Sequence, residues 1–248
     1  MTSILKTAKL SLNGRALPWV LKNKFGPDDI NVSSARYVSL FPSLNLAFNR
    51  VKKNGNSTTV SLLHSMEKGT FTTSKHAKRE SPNLGSASLP LLMNAANFFY
   101  FVIIRNPYSR TLSAFLNKFN KPNYIDRFGE FPLTPDGFYK FLVWISETGL
   151  EYDAHWDLQK KLILGPLEDF DAVLRFEDFP DCLEDLLKRR HLELPHAAEN
   201  IITSVNQETR THASRKTQLF YSPEAIEIVR SLFKEDFEFL GYSTELEV

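Results

Sequence analysis

The pattern of apolar and polar positions divides the chain into short strands and amphipathic helices. The plainest segment is 98–104, FFYFVII, which is apolar without interruption and rich in β-forming residues. Such a run is typical of a strand buried on both faces, as in a parallel sheet. A helix is predicted after it, with Ser109 as its cap and an apolar face at helical spacing. That face consists of Leu112, Phe115, Leu116 and Phe119.

The rest of the pattern alternates in the same way. Strands are predicted within 36–51 and over Phe170–Phe176, and polar loops over 69–88, 120–137 and 203–220. Helices are predicted over Thr59–Glu67, Phe138–Ile145, Ala154–Leu164 and Leu183–Arg190, and after a cap at Ser222. Because strands alternate with helices, we expect a single α/β domain over residues 1–248. Its parallel sheet would be flanked by helices, with residues 1–35 as a peripheral segment.

Composition narrows the choice of partners. The chain has 248 residues, of which 42% are hydrophobic, and its formal net charge is +1. No bulk field draws it to nucleic acid or to an acidic membrane, so we expect no nucleic-acid partner and a local anion site. The single cysteine, Cys182, excludes an intrachain disulfide and a zinc site built from cysteines. No apolar run resembles a signal peptide or reaches the ~20 residues of a membrane span. We therefore expect a cytoplasmic protein without stable membrane insertion.

The first candidate phosphate site is the polar turn Lys53–Thr58, which stands between a predicted strand and a predicted helix. Gly55 allows the backbone to approach an anion, and the helix start directs free N–H groups at the same point. Lys53 adds a positive charge, and Ser57 and Thr58 add hydroxyl donors. The sequence GxxxxGK[ST] of a Walker A loop is absent, and an ordinary polar turn is the alternative.

The second candidate is Arg105 together with Ser113. Arg105 directly follows the buried strand, so its guanidinium is expected at the carboxyl edge of the sheet, where open α/β sheets bind ligands. Arginine offers planar, multidentate donors to a phosphate, and a serine on the next helix adds one more. The alternative is a surface arginine and a serine bonded to its own helix.

In combination these segments resemble a known family. Lys53–Thr58 followed by a helix resembles the 5′-phosphosulfate loop of sulfotransferases that use 3′-phosphoadenosine-5′-phosphosulfate (PAPS). The segment 105–115, RNPYSRTLSAF, resembles their 3′-phosphate motif. The match is closest to the carbohydrate sulfotransferases of the HNK-1 and chondroitin type, sulfotransferase family 2. Weaker matches follow in the family's order at 154–159, 176–179 and 234–242.

The resemblance implies a P-loop-like α/β fold and in-line transfer of a sulfuryl group from PAPS to a hydroxyl, with release of PAP. Lys53 would neutralise the leaving phosphate oxygen. Lys52, which stands where the family usually has proline, could compete for that role. Arg105 and Ser113 would hold the 3′-phosphate and so select PAPS over ATP. The donor contacts expected are Lys52, Lys53, Asn54, Gly55, Asn56, Ser57, Thr58, Arg105, Ser113, Arg215 and Lys216.

A hydroxyl acceptor benefits from a general base. His155 is the first candidate because it lies in the family-like His-Trp segment, and His76, in a predicted loop, is the second. Either could instead be structural or solvent-exposed. No divalent metal is required, since lysine and arginine carry the charge.

The resemblance points to a carbohydrate or a small-molecule acceptor, without naming it. Four aromatic residues near the loop at 120–137 could stack on such an acceptor or pack the loop onto the body: Phe119, Tyr124, Phe128 and Phe131. Two other functions remain open at this point. One is a small-molecule kinase with a degenerate phosphate loop, which would need Mg²⁺, and the other is a binding module that has lost its chemistry.

Overall fold

A computed structural model describes residues 16–26, 30–194 and 211–246. Its strands are β1 Val38–Phe41, β2 Leu46–Asn49, β3 Phe99–Ile104 and β4 Ala172–Arg175. Its helices are α1 16–25, α2 Asn56–Lys68, α3 Ser74–Glu80, α4 Leu89–Ala95, α5 Pro107–Lys118, α6 Pro122–Phe128, α7 Pro135–Thr148, α8 Gln159–Leu162, α9 Asp181–Arg189, α10 Ala213–Phe220, α11 Pro223–Leu232 and α12 Lys234–Leu240. None of the helices in these ranges is long and apolar enough to span a membrane.

The strands form one sheet in the order β1-β2-β3-β4. β2 and β3 run parallel, with Phe48 opposite Phe101, whereas β1 pairs with β2 in the antiparallel direction. The predicted α/β architecture is confirmed, and the sheet is mixed because the short turn between β1 and β2 reverses the chain. Asn45, in the left-handed conformation with φ 53°, ends that turn.

The described residues group into two compact units. Unit 1 contains nearly the whole sheet and consists of residues 16–26, 30–51, 55–103 and 161–194. Its core packs β2 and β3 against α2 and α9, and the rings of Phe48 and Phe101 stack at 4.8 Å. Helix α1 belongs here as well, and its Val20, Leu21 and Phe25 are fully buried although a peripheral segment was expected.

Unit 2 consists of residues 52–54, 104–160 and 211–246. Its core is an aromatic cluster in which Phe119 lies 5.0 Å from Phe131 and Phe128 lies 5.2 Å from Trp156, measured between ring centroids. Tyr124 packs against the same cluster. These aromatic residues therefore pack their segment onto the unit, the second of the two interpretations of the sequence.

Four predicted segments differ from the structure: three predicted loops contain a helix, and one predicted helix is much shorter. The loop predicted over 69–88 contains α3, which starts at a Thr73 cap and has little apolar periodicity. The loop predicted over 120–137 contains α6, which starts at Pro122. Of the helix predicted over Ala154–Leu164, only α8 forms, because residues 154–158 make turns. The loop predicted over 203–220 contains α10, and residues 203–210 lie outside the described ranges.

The helix caps show how local chemistry sets the start of α5. Asn106 caps it by accepting a hydrogen bond from the backbone N–H of Tyr108 at 2.9 Å, so the helix begins at Pro107. The predicted cap, Ser109, lies inside the first turn. Because Asn106 caps the helix, the Ser109 hydroxyl can accept a hydrogen bond from another side chain.

Candidate functional site

The turn that carries Lys53 is held by arginines from the segment after β3. The guanidinium of Arg105 donates to the carbonyl of Lys53 at 2.8 Å, and that of Arg110 donates to the carbonyl of Lys52 at 3.0 Å. Lys53 itself has a φ of 74°, a conformation that costs free energy in a residue with a Cβ and needs such support. The structure therefore brings Lys53, from one of the two predicted phosphate sites, into contact with Arg105 from the other.

A buried glutamine fixes the same turn from a third side. Gln159 is completely buried, and its Oε1 accepts from the Asn54 amide at 2.7 Å and from the Arg105 backbone N–H at 3.2 Å. Its Nε2 donates to the Arg105 carbonyl at 2.7 Å, and its own backbone N–H donates to Asp236 at 2.9 Å. These bonds position Lys53 relative to Arg105 through the amide of one side chain.

Arg105 follows β3 as expected, but its side chain is buried, with 3% exposure. Its Nε donates to the Ser109 hydroxyl at 2.9 Å on α5. Ser113 lies one turn further along the same face of the helix, and its hydroxyl accepts from Thr211 at 3.2 Å. Arg105 thus contacts the first turn of α5, one turn before Ser113, and is an interior arginine rather than one that emerges at a surface edge.

Lys53 is buried among other cationic side chains. Burial, followed by the charges of Arg105, Lys118, Lys121 and Arg110, holds the pKa of Lys53 well below its usual range. Burial and Lys121 likewise lower the pKa of Lys118 to about 8, against the opposing effect of a nearby carboxylate. Such crowding of cations is unfavourable in the protein alone and is relieved by a bound polyanion.

His155 belongs to a hydrogen-bonded group in unit 2. Its Nδ1 contacts Oδ1 of Asp153, and its backbone N–H donates to the same oxygen at 2.9 Å. The Tyr124 hydroxyl lies 3.3 Å from Nδ1 and donates to the other Asp153 oxygen at 2.9 Å. Burial lowers the pKa of His155 to about 4, so the ring is neutral at pH 7 and able to accept a proton.

Comparison of the chain with models of known protein families identifies its family. The model of the Sulfotransferase family matches residues 37–243. The chain belongs to sulfotransferase family 2. Searches of curated proteins and of solved structures gave no significant match. The family predicted from the loop and from the arginine motif is therefore confirmed, and the chain is a sulfotransferase.

In this sulfotransferase, the remainder of the predicted phosphate loop belongs to unit 1 and leads into α2. Gly55 has a φ of 69°, and a Cβ at this position would lie 3.2 Å from the Phe179 ring. Its carbonyl accepts the first helical bond, from the Thr59 N–H at 3.0 Å. Asn56 and Thr58 are buried within the first helical turn. Glycine is therefore required for two reasons, the left-handed backbone and the close approach of an aromatic ring.

Lys78 is a site residue that the sequence interpretation passed over. Its Nζ donates to the Ser57 hydroxyl at 2.7 Å, so α3 brings a positive charge to the start of α2. The sequence placed Lys78 in a loop because α3 lacks an apolar stripe. Its Thr73 cap, which accepts from the His76 N–H, was the signal that could have found the helix.

The two histidine candidates differ in their surroundings. His76 is on α3, with 54% of its side chain exposed, and pairs with Glu80 at 2.8 Å. The other oxygen of Glu80 pairs with His64 at 2.8 Å. All three residues belong to unit 1, whereas His155 shares unit 2 with Lys53. His155 therefore belongs to the same compact unit as the candidate lysine, and the role of either histidine as a base stays a prediction.

Arg215 and Lys216 lie on α10 and not in a loop, and both are exposed. Their role as donor contacts stays a prediction. In the part of the chain that the structure describes, no group of three or more His, Cys, Asp or Glu residues is arranged to hold a metal ion.

Several residues of the candidate site received no role from the sequence: Lys78, Lys118, Lys121 and Asp153, and also Arg110 and Gln159, which lie within the family-like segments. Tyr124 was considered only as an aromatic contact to the acceptor. Asp153 had a local signal, since a carboxylate two residues before a histidine can bond both its backbone and its ring. The others act through contacts that are distant in sequence.

Proposed function

We propose that this sulfotransferase uses PAPS as donor and transfers its sulfuryl group to a hydroxyl of a carbohydrate or small-molecule acceptor, with PAP as the product. The observation that carries the proposal is the 2.8 Å hydrogen bond from Arg105 to the carbonyl of Lys53. It joins the lysine of one family motif to the arginine of the other within unit 2. Family membership supports sulfuryl transfer, and this contact supports the nature of the donor.

The charge of the site fits such a donor. PAPS carries negative charge at both ends of its adenosine, whereas burial and then the cations around Lys53 lower the pKa of that lysine. A phosphate bound between these cations raises the pKa of Lys53 again. The same attraction strengthens the binding of the phosphate. Arg105 and Ser113 are assigned to the 3′-phosphate, and the segment Lys53–Thr58 to the 5′ side. Lys53 is the residue assigned to the leaving phosphate oxygen.

The chemistry requires little of the protein beyond placement and charge. A bond forms between the acceptor oxygen and sulfur while the bond from sulfur to the bridging phosphate oxygen breaks. The hydroxyl proton passes to Nε2 of His155, which is neutral at pH 7. The charge that develops on the leaving oxygen is neutralised by Lys53.

Ligand-dependent thermal stabilisation tests the donor. A ligand that binds the native state raises Tm by mass action, so PAP, AMP, ADP and ATP with Mg²⁺ are compared at equal concentration. We expect PAP to give the largest shift, since only PAP supplies the phosphate assigned to Arg105. Equal shifts for PAP and AMP, or a larger shift for ATP with Mg²⁺, would overturn the proposal.

A variant pair then tests the arginine. Arg105→Lys keeps the charge and loses the planar fork, so PAP stabilisation should fall toward that of AMP. Arg127→Lys makes the same exchange at an exposed arginine of unit 2 and should leave the PAP shift unchanged. Transfer itself is measured with ³⁵S-labelled PAPS against a panel of sugars, phenols and aliphatic alcohols.

A further inference from the structure

Three side chains of unit 2 form a closed hydrogen-bonded group around His155. Asp153 uses one oxygen for the backbone and ring of His155, and its other oxygen accepts from Tyr124 at 2.9 Å. The side chains of His155 and Asp153 are 21% and 11% exposed. Among the described residues, none makes a hydrogen bond to Nε2 of His155.

We infer that Asp153 and Tyr124 are positioning residues which fix the tautomer of His155, so that its Nε2 is the atom that accepts the proton of the acceptor hydroxyl. This inference rests on the proposed function. It concerns residues that the family motifs do not include and assigns a role to each polar atom of the group.

The tautomer follows from what each group can donate. A neutral imidazole has one N–H, and an ionised carboxylate can only accept, so the nitrogen that faces Asp153 must carry the proton. Burial would raise the pKa of Asp153, but bonds from His155 and Tyr124 and the charge of the ring lower it to about 2. The carboxylate is therefore ionised at pH 7, and Nε2 retains its lone pair.

Tyr124 completes the arrangement as a donor. Burial and the bond to Asp153 raise the pKa of its hydroxyl, so it stays protonated and donates to Oδ2. This bond leaves Oδ1 for His155 and limits rotation of the carboxylate. The ring of Tyr124 also lies under the Lys118 ammonium, with 4.6 Å between Nζ and the ring centroid.

The charges that face His155 are of both signs. Burial is the main cause of its low pKa, Lys118 and Lys52 lower it further, and Asp153 raises it. Burial, with a smaller effect of the lysines, keeps the resting ring neutral, and Asp153 stabilises the imidazolium that forms when the proton arrives. If Asp153 had only a structural role in this turn, its hydrogen bond to the backbone of His155 would suffice. The ring of His155 would then need no particular tautomer.

Ring ¹⁵N NMR of the histidine-labelled chain of 248 residues tests the tautomer without any assay of activity. His155→Gln assigns the His155 signals. We expect the wild-type ring to carry its proton on Nδ1 and Asp153→Asn to move it to Nε2, because the asparagine amide can donate to Nδ1. A wild-type proton on Nε2, or the same tautomer in wild type and Asp153→Asn, would overturn the inference.

Titration of the same signals measures the pKa of His155. Substitutions at Asp153 and at Tyr124 should shift this pKa in opposite directions. Asp153→Asn removes an effect that raises the pKa of His155, so that pKa should fall. Tyr124→Phe removes a donor from the carboxylate, which then attracts the proton more strongly, so the pKa of His155 should rise. Should Asp153→Asn fail to fold, the wild-type spectrum and the Tyr124→Phe variant still test the inference. An unchanged pKa of His155 in Tyr124→Phe would contradict the assignment.

Kinetics separate this inference from the proposed function. With ³⁵S-labelled PAPS and the best acceptor of the panel, Asp153→Asn should lower kcat by about 100-fold or more while KM for PAPS and the PAP shift stay near wild type. Wild-type kcat in Asp153→Asn would refute the positioning role and leave the donor intact. If the wild-type protein shows no preference for PAP over AMP, ADP and ATP, the assignment of PAPS as donor is refuted. The ring spectra would still report the tautomer of His155.

Discussion

Arg110 offers the sharpest test of how the site is built. Its side chain is fully buried and donates to the carbonyls of Asp157 at 2.8 Å, Lys52 at 3.0 Å and Ala154 at 3.3 Å. Burial lowers its pKa to about 10, and the charges of Asp236 and Asp157 oppose that effect, so the guanidinium stays charged at pH 7. We predict that Arg110→Met destabilises the protein strongly, although Arg110 is assigned no ligand.

The magnitude follows from two overlapping estimates. A hydrogen bond from a charged donor is worth about 1.5–3 kcal/mol, and Arg110 makes at least two with good geometry. The variant also removes a positive charge that lowers the pKa of buried Asp236, and the cost of breaking a directly paired buried charge, about 3–5 kcal/mol, is the upper end of that effect. The estimates describe the same interactions and are not added. Methionine fills most of the space, so we expect the free energy of unfolding to fall by about 3–5 kcal/mol.

The assay is urea denaturation followed by the fluorescence of tryptophan, since Trp156 is buried in unit 2. Arg110→Lys keeps the charge and one or two of the bonds and should lie between wild type and Arg110→Met. Arg127→Met is the matched control at an exposed arginine and should change the free energy of unfolding by less than about 1 kcal/mol. A loss below about 1 kcal/mol for Arg110→Met would refute the reasoning.

Further predictions concern the loop, the donor and the base. Gly55→Ala should lower Tm more than Gly69→Ala, because both glycines have φ near 70° but only Gly55 has an aromatic ring within 3.2 Å of the added Cβ; equal losses in thermal denaturation would contradict this. PAP binding at pH 8 should take up protons, because the anion raises the lowered pKa values of Lys53 and Lys118, the latter about 8 in the free protein. Calorimetry in two buffers of different ionisation enthalpy measures the uptake, Lys118→Met should reduce it, and no uptake in wild type would rule the cation cluster out as the PAP site. Since the low pKa of His155 keeps its basic form populated above about pH 4, kcat/KM should not fall as the pH drops from about 7.5 to 5.5; a halving near pH 6.5 would indicate a base with an ordinary histidine pKa.

Sequence alone determined the features that depend on neighbouring residues. The apolar run at 98–104 predicted a buried strand, and β3 is Phe99–Ile104. Glycine within a polar turn before a helix predicted the loop at Gly55, and the arginine motif after β3 predicted the family. Helices without an apolar stripe, such as α3, were missed, because their stability comes from caps and tertiary packing and leaves little trace in the pattern.

Tertiary structure decided which residues work together. Nothing in the local pattern indicates that the Arg105 guanidinium donates to the Lys53 carbonyl, or that Gln159 and Arg110 hold the turn. Sequence already places Asp153 two residues before His155, but only the fold brings the hydroxyl of Tyr124 to the same carboxylate. The physical reason is that burial and charge set the pKa of a side chain, and both are properties of neighbours that are brought near by folding and not by the chain.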